Sequence, residues 1–156
     1  MWVRAVVSTG FAVLFVGSAV WSRLDRTFPA VDPQLRLEAR ATVPAPVQAV
    51  LRRACYDCHS NETRWPWYSN VPPASWLIAH DVKEGRGQLN LSAWGRYNPF
   101  DRADMLDKIC DRVSKGRMPM WQYRLLHPEA RLSDRDIKTV CDWSETEAAR
   151  LVQGGT

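Results

Sequence analysis

The sequence contains no block of basic residues, no low-complexity run and no internal repeat. Net charge is +4 over 156 residues, yet from Thr27 onward 18 Lys+Arg face 16 Asp+Glu, so the body of the chain is almost neutral. Without a basic stripe to track phosphates, nucleic acid is not an expected partner. Period-two alternation is missing over any useful length, which argues against strands. A βαβ pattern is absent as well, and no second close-spaced cysteine pair accompanies the first. What is present is a substantial apolar fraction with eight tryptophans, enough to pack one domain with a short extra segment.

The one long apolar run comes first. Ala5 to Ser22, AVVSTGFAVLFVGSAVWS, carries no charge and lies between Arg4 and Arg23. Its length falls at the lower edge of a bilayer span and the upper edge of a signal-peptide core. Gly17 and Ala19 suit a cleavage site, whereas Trp21 and Arg23 suit an interfacial anchor. With no polar face, the run does not read as a buried helix of the fold. The expectation is a retained anchor over residues 1–24, with a cleaved leader as the alternative. Either one delivers the rest of the chain outside the cytoplasm. Residues 25–43 are proline-rich with mixed charge and read as a tether, and the domain proper is expected over 44–152.

That domain reads as all-α. Pro46 suits a first helical position, and Val47, Val50, Leu51 and Ala54 follow at i, i+3, i+4 and i+7. A second helix is expected across VPPASWLIAHDVKEGRG, beginning near Pro73 and stopping at Gly85. Ala74, Leu77, Ile78 and Val82 would form its inner face. A third follows NPFD, with Met105, Leu106, Ile109, Cys110 and Val113 as its buried stripe and Gly116 as its end. GRMPMWQYRLLHPEA, punctuated by Pro119 and Pro128, reads as a loop. The last helix opens at LSDRD, where Ser133 and Asp136 have capping-box spacing, and turns Ile137, Val140, Cys141, Ala148 and Leu151 inward.

Two cysteines and a histidine, Cys55, Cys58 and His59, stand within five positions in ACYDCHSNETRWPWYSN. Cys-x-x-Cys-His is the attachment pattern of c-type haem. Two thiols add across the two vinyl groups of the porphyrin, and the next residue is held beneath the iron. Other uses of the pair fit less well. A redox dithiol wants a βαβ context. A zinc site would need a second close pair, and Cys110 and Cys141 are singletons. A disulfide across so short a loop is strained. One covalent haem c is therefore the expected cofactor. Trp65, Trp67 and Tyr68 offer it flat surface and hydrogen-bond donors, and Trp76, Arg86 and Trp94 are further propionate partners.

A sixth ligand is sought among Met118, Met120, His80 and His127. Met118 follows Gly116 in a loop, and Pro119 pushes it into an extended conformation that can turn a thioether inward. A His/Met pair raises the reduction potential and suits electron transfer. Met120, His80 and His127 stay as alternatives, although both histidines read more readily as hydrogen-bonding residues. Cys110 and Cys141 lie on the apolar stripes of the helices flanking the methionine loop. In an oxidising compartment, a bridge between them would brace that loop.

Taken in order, CYDCHSNETRWPWYSNVPPASWLIAHDVKEGRGQLNLSAW and GRMPMWQYRLLHPEARLS, within residues 44–143, resemble the bacterial haem-binding domain family of small, membrane-anchored, cytochrome c-like proteins. The resemblance implies a cytochrome c-like helical fold around one haem in the periplasm. Cys55 and Cys58 would carry the haem, His59 would be proximal, and Met118 of the Met-Pro motif distal. This chain has Met120 where the family's pattern has a second proline. The expected function is a mono-haem c-type cytochrome, anchored in the inner membrane, passing single electrons between redox proteins without turning over a substrate. A chain with its leader removed would do so free in the periplasm. The alternative is a haem sensor or peroxidase-like enzyme whose sixth ligand is open or displaceable.

Overall fold

Residues 26–154, together with Gly17, are described by the structure, a computed structural model. The apolar run at 5–22 lies outside the described residues apart from Gly17. Among the described residues all regular structure is helical, and no helix is long and apolar enough to cross a membrane. The α-helices are α1 (Leu37–Arg40), α2 (Ala45–Ala54), α3 (Tyr56–His59), α4 (Ala74–Gln88), α5 (Pro99–Ser114), α6 (Trp121–Leu126) and α7 (Asp134–Gly154). Short 3-10 turns at Trp67–Asn70, Leu91–Arg96 and Pro128–Ala130 connect them.

α2 has Pro46 in its first turn and buries Val47, Val50, Leu51 and Ala54, the face its spacing predicts. It leads through Cys55 directly into the single turn of α3. The Asn98 side chain caps α5 by accepting from the Asp101 amide. At its other end Gly116 takes φ +63°, and the amides of Arg117 and Met118 both bond back to the Arg112 carbonyl. That left-handed residue closes the helix and delivers Met118 at once. α7 opens on the expected reciprocal cap, in which Ser133 Oγ accepts from the Asp136 amide and the Asp136 carboxylate accepts from the Ser133 amide.

α5 and α7 pack along each other and are joined by a Cys110–Cys141 disulfide, with Cα atoms 4.7 Å apart. Leu51, Leu91, Trp94, Leu106 and Trp143 lie in the main core. A smaller cluster of Val50, Val113 and Val140 has Met118 packed against it.

Several expectations need correction. Residues 26–43 are packed into the domain instead of standing off as a tether. Leu37 is fully buried, Leu35 accepts from the Gly95 amide at 2.8 Å, and Trp143 Nε1 donates to the Thr42 carbonyl at 2.8 Å. Burying one leucine is worth roughly 1.5–3 kcal/mol, enough to outweigh the solvated character of its neighbours. Gly85 does not end α4, which continues to Gln88. Its lack of a side chain serves the crossing of α4 over the backbone of Cys58. Leu77, expected inside, is 52% exposed, and α4 buries Ser75, Ala79 and Val82. The methionine loop is not wholly irregular, since it holds α6 and the last 3-10 turn.

Candidate functional site

The amides of Cys58 and His59 both bond to the carbonyl of Cys55, at 3.2 and 2.9 Å. The motif is therefore one tight turn, and Cys55, Cys58 and His59 all line a cavity of about 410 Å³. That is the size class of small-molecule and cofactor sites. Met118, Pro119 and Met120 line the same cavity, as do Met105 and Ile109 from α5. The sequence pattern thus brings the two ends of the site, separated by some sixty residues, to one space.

His59 donates from Nδ1 to the carbonyl of Leu89 at 3.2 Å. This fixes ring and tautomer and leaves Nε2 as the nitrogen for a metal. Burial holds its pKa below the ordinary value, against the opposing pull of the Leu89 and Gly85 carbonyls. A neutral imidazole is the ligating form. Cys55 and Cys58 are not bonded to each other. Burial pushes both thiols up to about 12, reinforced by Cys58 beside Cys55 and by Asp57 and Asp81 beside Cys58. Two reduced, unbridged cysteines on the wall of one largely apolar cavity are what thioether attachment to a pair of vinyl groups consumes. With an oriented imidazole and a thioether on the same walls, the donor set fits a haem.

The structure also sorts the ligand alternatives. Met118 lies on the cavity wall against the valine cluster. Met120 lines the cavity too, but its sulfur accepts from Gln122 Nε2 at 3.6 Å. His80 is exposed on α4 and does not line the cavity. His127 is outside it as well: Nδ1 donates to Glu129 at 3.1 Å, Nε2 is bonded to the Tyr68 hydroxyl at 2.7 Å, and the ring stacks on Tyr123 at 4.1 Å. Both of its nitrogens are engaged.

None of the six aromatic and arginine residues expected to touch the cofactor lines this cavity. Trp65 stacks on Phe28 with Arg26 over its ring, and Arg86 lies 3.7 Å above Phe28 while bonding Asn61. These residues hold the N-terminal segment to the domain. Trp67 is 80% exposed and Trp76 about half exposed, Tyr68 is tied to His127, and Trp94 is sealed in the core against Tyr97.

Sequence reasoning missed Asp57 and Tyr123. Asp57 lies between the two cysteines and is nearly buried. It accepts from the Tyr123 hydroxyl at 2.8 Å, the Arg64 amide at 3.1 Å, and Arg64 Nε and Nη2 at 3.1 and 3.2 Å. A second cavity of about 140 Å³ adjoins the first, with Cys58, Asp81, Met120 and Tyr123 lining both. The position of Asp57 inside the motif was the available signal.

Comparison with known proteins points to the same cofactor. The sequence matches the haem-binding domain family over residues 13–146. The chain belongs to that family. Haem is accordingly the cofactor of this domain. The chain is also 25% identical over 154 residues to the cytochrome c peroxidase Ccp of Escherichia coli (strain K12), a match covering 94% of this chain and 32% of that protein. It therefore spans about a third of that relative's length. No solved structure matches the chain.

Proposed function

We propose that this haem-binding domain is a mono-haem c-type cytochrome that carries single electrons. Cys55 and Cys58 hold the haem through thioether bonds, His59 Nε2 is the proximal ligand, and Met118 the distal one. The observation that carries this reading is the presence of all four side chains on one cavity, with His59 already oriented by the Leu89 carbonyl. When bound, the haem supplies a one-electron couple, whose potential a His/Met pair raises. The protein's residues orient the group, exclude water with Met105, Ile109 and Leu91, and occupy the sixth position so that small molecules are kept off.

The same chemistry supports a reading of the compartment and of the kind of partner. A Cys110–Cys141 disulfide and thioether attachment suit an oxidising space outside the cytoplasm. The apolar run at 5–22 supports tethering to the inner membrane with the domain in the periplasm, exchanging electrons with other redox proteins. A second reading, a peroxidase-like enzyme, is favoured by the likeness to a cytochrome c peroxidase. It requires Met118 to leave its position readily.

The deciding experiment produces the full chain in cells competent for haem attachment, then measures intact mass and visible spectra. One haem of added mass, low-spin iron with a methionine-to-iron charge-transfer band, and slow carbon monoxide binding are expected of the carrier. High-spin iron with immediate carbon monoxide binding would favour the enzyme. A mass equal to the bare polypeptide would remove covalent attachment altogether.

A further inference from the structure

The methionine segment and the cysteine turn lie far apart in sequence, and one side-chain contact joins them. Tyr123, five residues beyond Met118, donates to Asp57, the residue between the cysteines, across a separation of 66 positions. The bond is well defended at both ends. Asp57 is 8% exposed and is held by three bonds from Arg64, so its carboxylate is oriented whether or not the tyrosine is present. The Tyr123 ring lies against His127, itself fixed by Tyr68 and Glu129. Tyr123 also lines the large cavity and sits in the first turn of α6, which opens with the Arg124 amide bonding to the Met120 carbonyl. Any movement that lifts the methionines from the cavity pulls on this helix.

We propose that Tyr123 is the positioning residue that keeps the methionine segment seated over the cofactor, by latching it to Asp57. The inference rests on the reading of Met118 as the sixth ligand and adds what governs how often that ligand leaves. An iron–thioether bond is weak, so the fraction of molecules with an open sixth position is set by the freedom of the segment carrying the sulfur. Without the latch, the stretch that carries Met118 is held by its start at Gly116 and by the packing of Met118 on the valine cluster, and the next restraints are the Tyr68 and Arg53 bonds at His127 and Glu129. The same hydroxyl then decides how closely this domain approaches the open-site behaviour of an enzyme.

Tyr123→Phe deletes the hydroxyl and keeps the stacked ring. Loss of one hydrogen bond to a charged acceptor corresponds to about a tenfold rise in the open fraction. Carbon monoxide enters the ferrous haem only when the methionine is off, so its binding to full-length haem-loaded Tyr123→Phe is expected to accelerate about tenfold. The ferric methionine-to-iron band should weaken in parallel. Tyr68→Phe, which cuts the His127 bond but spares the latch, should leave both unchanged. Asp57→Asn retains an acceptor for the tyrosine and should change them less than Tyr123→Phe does. A Tyr123→Phe protein that is less stable but has the wild-type band and carbon monoxide rate would overturn the proposal and leave Met118 ligation intact. A wild type without the band would overturn both.

Discussion

A Cβ placed on Gly85 would stand 2.8 Å from the carbonyl oxygen of Cys58 and 3.3 Å from its Cβ. α4 thus rests directly on the attachment turn at a position where no side chain is tolerated. The opposing atom is backbone and cannot rotate away. Gly85→Ala is expected to destabilise the protein by about 1–3 kcal/mol, the range for overpacking, even though alanine is the better helix former. Gly87→Ala on the same helix, with nothing within 4 Å, should be neutral or slightly stabilising. Urea unfolding of the two haem-loaded variants compares them, and equal stabilities would mean that the turn yields easily.

The Cys110–Cys141 bridge closes a loop of 31 residues that contains the whole methionine segment. By loop-closure entropy such a link is worth about 3–4 kcal/mol. Replacing both cysteines by alanine should lower unfolding stability by that amount while the α5–α7 packing keeps the fold. Equilibrium denaturation checks it. A change below about 1 kcal/mol would show that helix packing alone already restrains the unfolded chain.

The helices and the cysteine turn were legible because their signals are local. The four-residue spacing of Val47, Val50, Leu51 and Ala54, the Ser133/Asp136 box and Cys-x-x-Cys-His each act within a few positions. What the sequence hid depends on long-range contact. Leu37 sits among prolines and charges that suggest a solvated tether, and only the core it enters shows otherwise. Gly85 has the composition of a helix stop, but its role is set by Cys58, 27 residues earlier. The aromatics after the motif are adjacent to it in sequence, yet Trp65 and Tyr68 line the smaller cavity and not the larger one, and Trp65 packs on Phe28. The Asp57–Tyr123 contact had no periodic signal, and only the place of Asp57 inside the motif pointed to one end of it.

Glu38 on α1 makes part of the fold's stability depend on acid pH. It accepts from the Tyr56 hydroxyl at 2.5 Å and pairs with Arg52 at 3.2 Å. Burial alone would push its carboxyl up, but the hydrogen bonds from Tyr56 and Gln48 and the charge of Arg36 outweigh it, leaving the pKa below 4.5. A group depressed in the folded state stabilises above its unfolded pKa, and that contribution disappears as pH falls through the folded value. Tyr56→Phe is therefore expected to cost roughly 1 kcal/mol at pH 7, and the loss should shrink at an acid pH below the folded pKa of Glu38. Urea midpoints at the two pH values test the difference, and an equal loss at both would assign the effect to packing.

Met118 and Met120 line the same cavity, but their sulfurs are not equivalent. Met120 is already engaged by Gln122 and borders the smaller cavity as well, whereas Met118 packs on Val50, Val113 and Val140. Met118→Ala should therefore abolish the methionine-to-iron band, lower the midpoint potential and give immediate carbon monoxide binding, because the sixth position loses its thioether. Met120→Ala should retain the band and a potential close to wild type. The two single variants, compared by ferric absorption and redox titration, separate the roles. The opposite pattern would mean that the Gln122 contact breaks when the haem is attached and that Met120 takes the iron in its place.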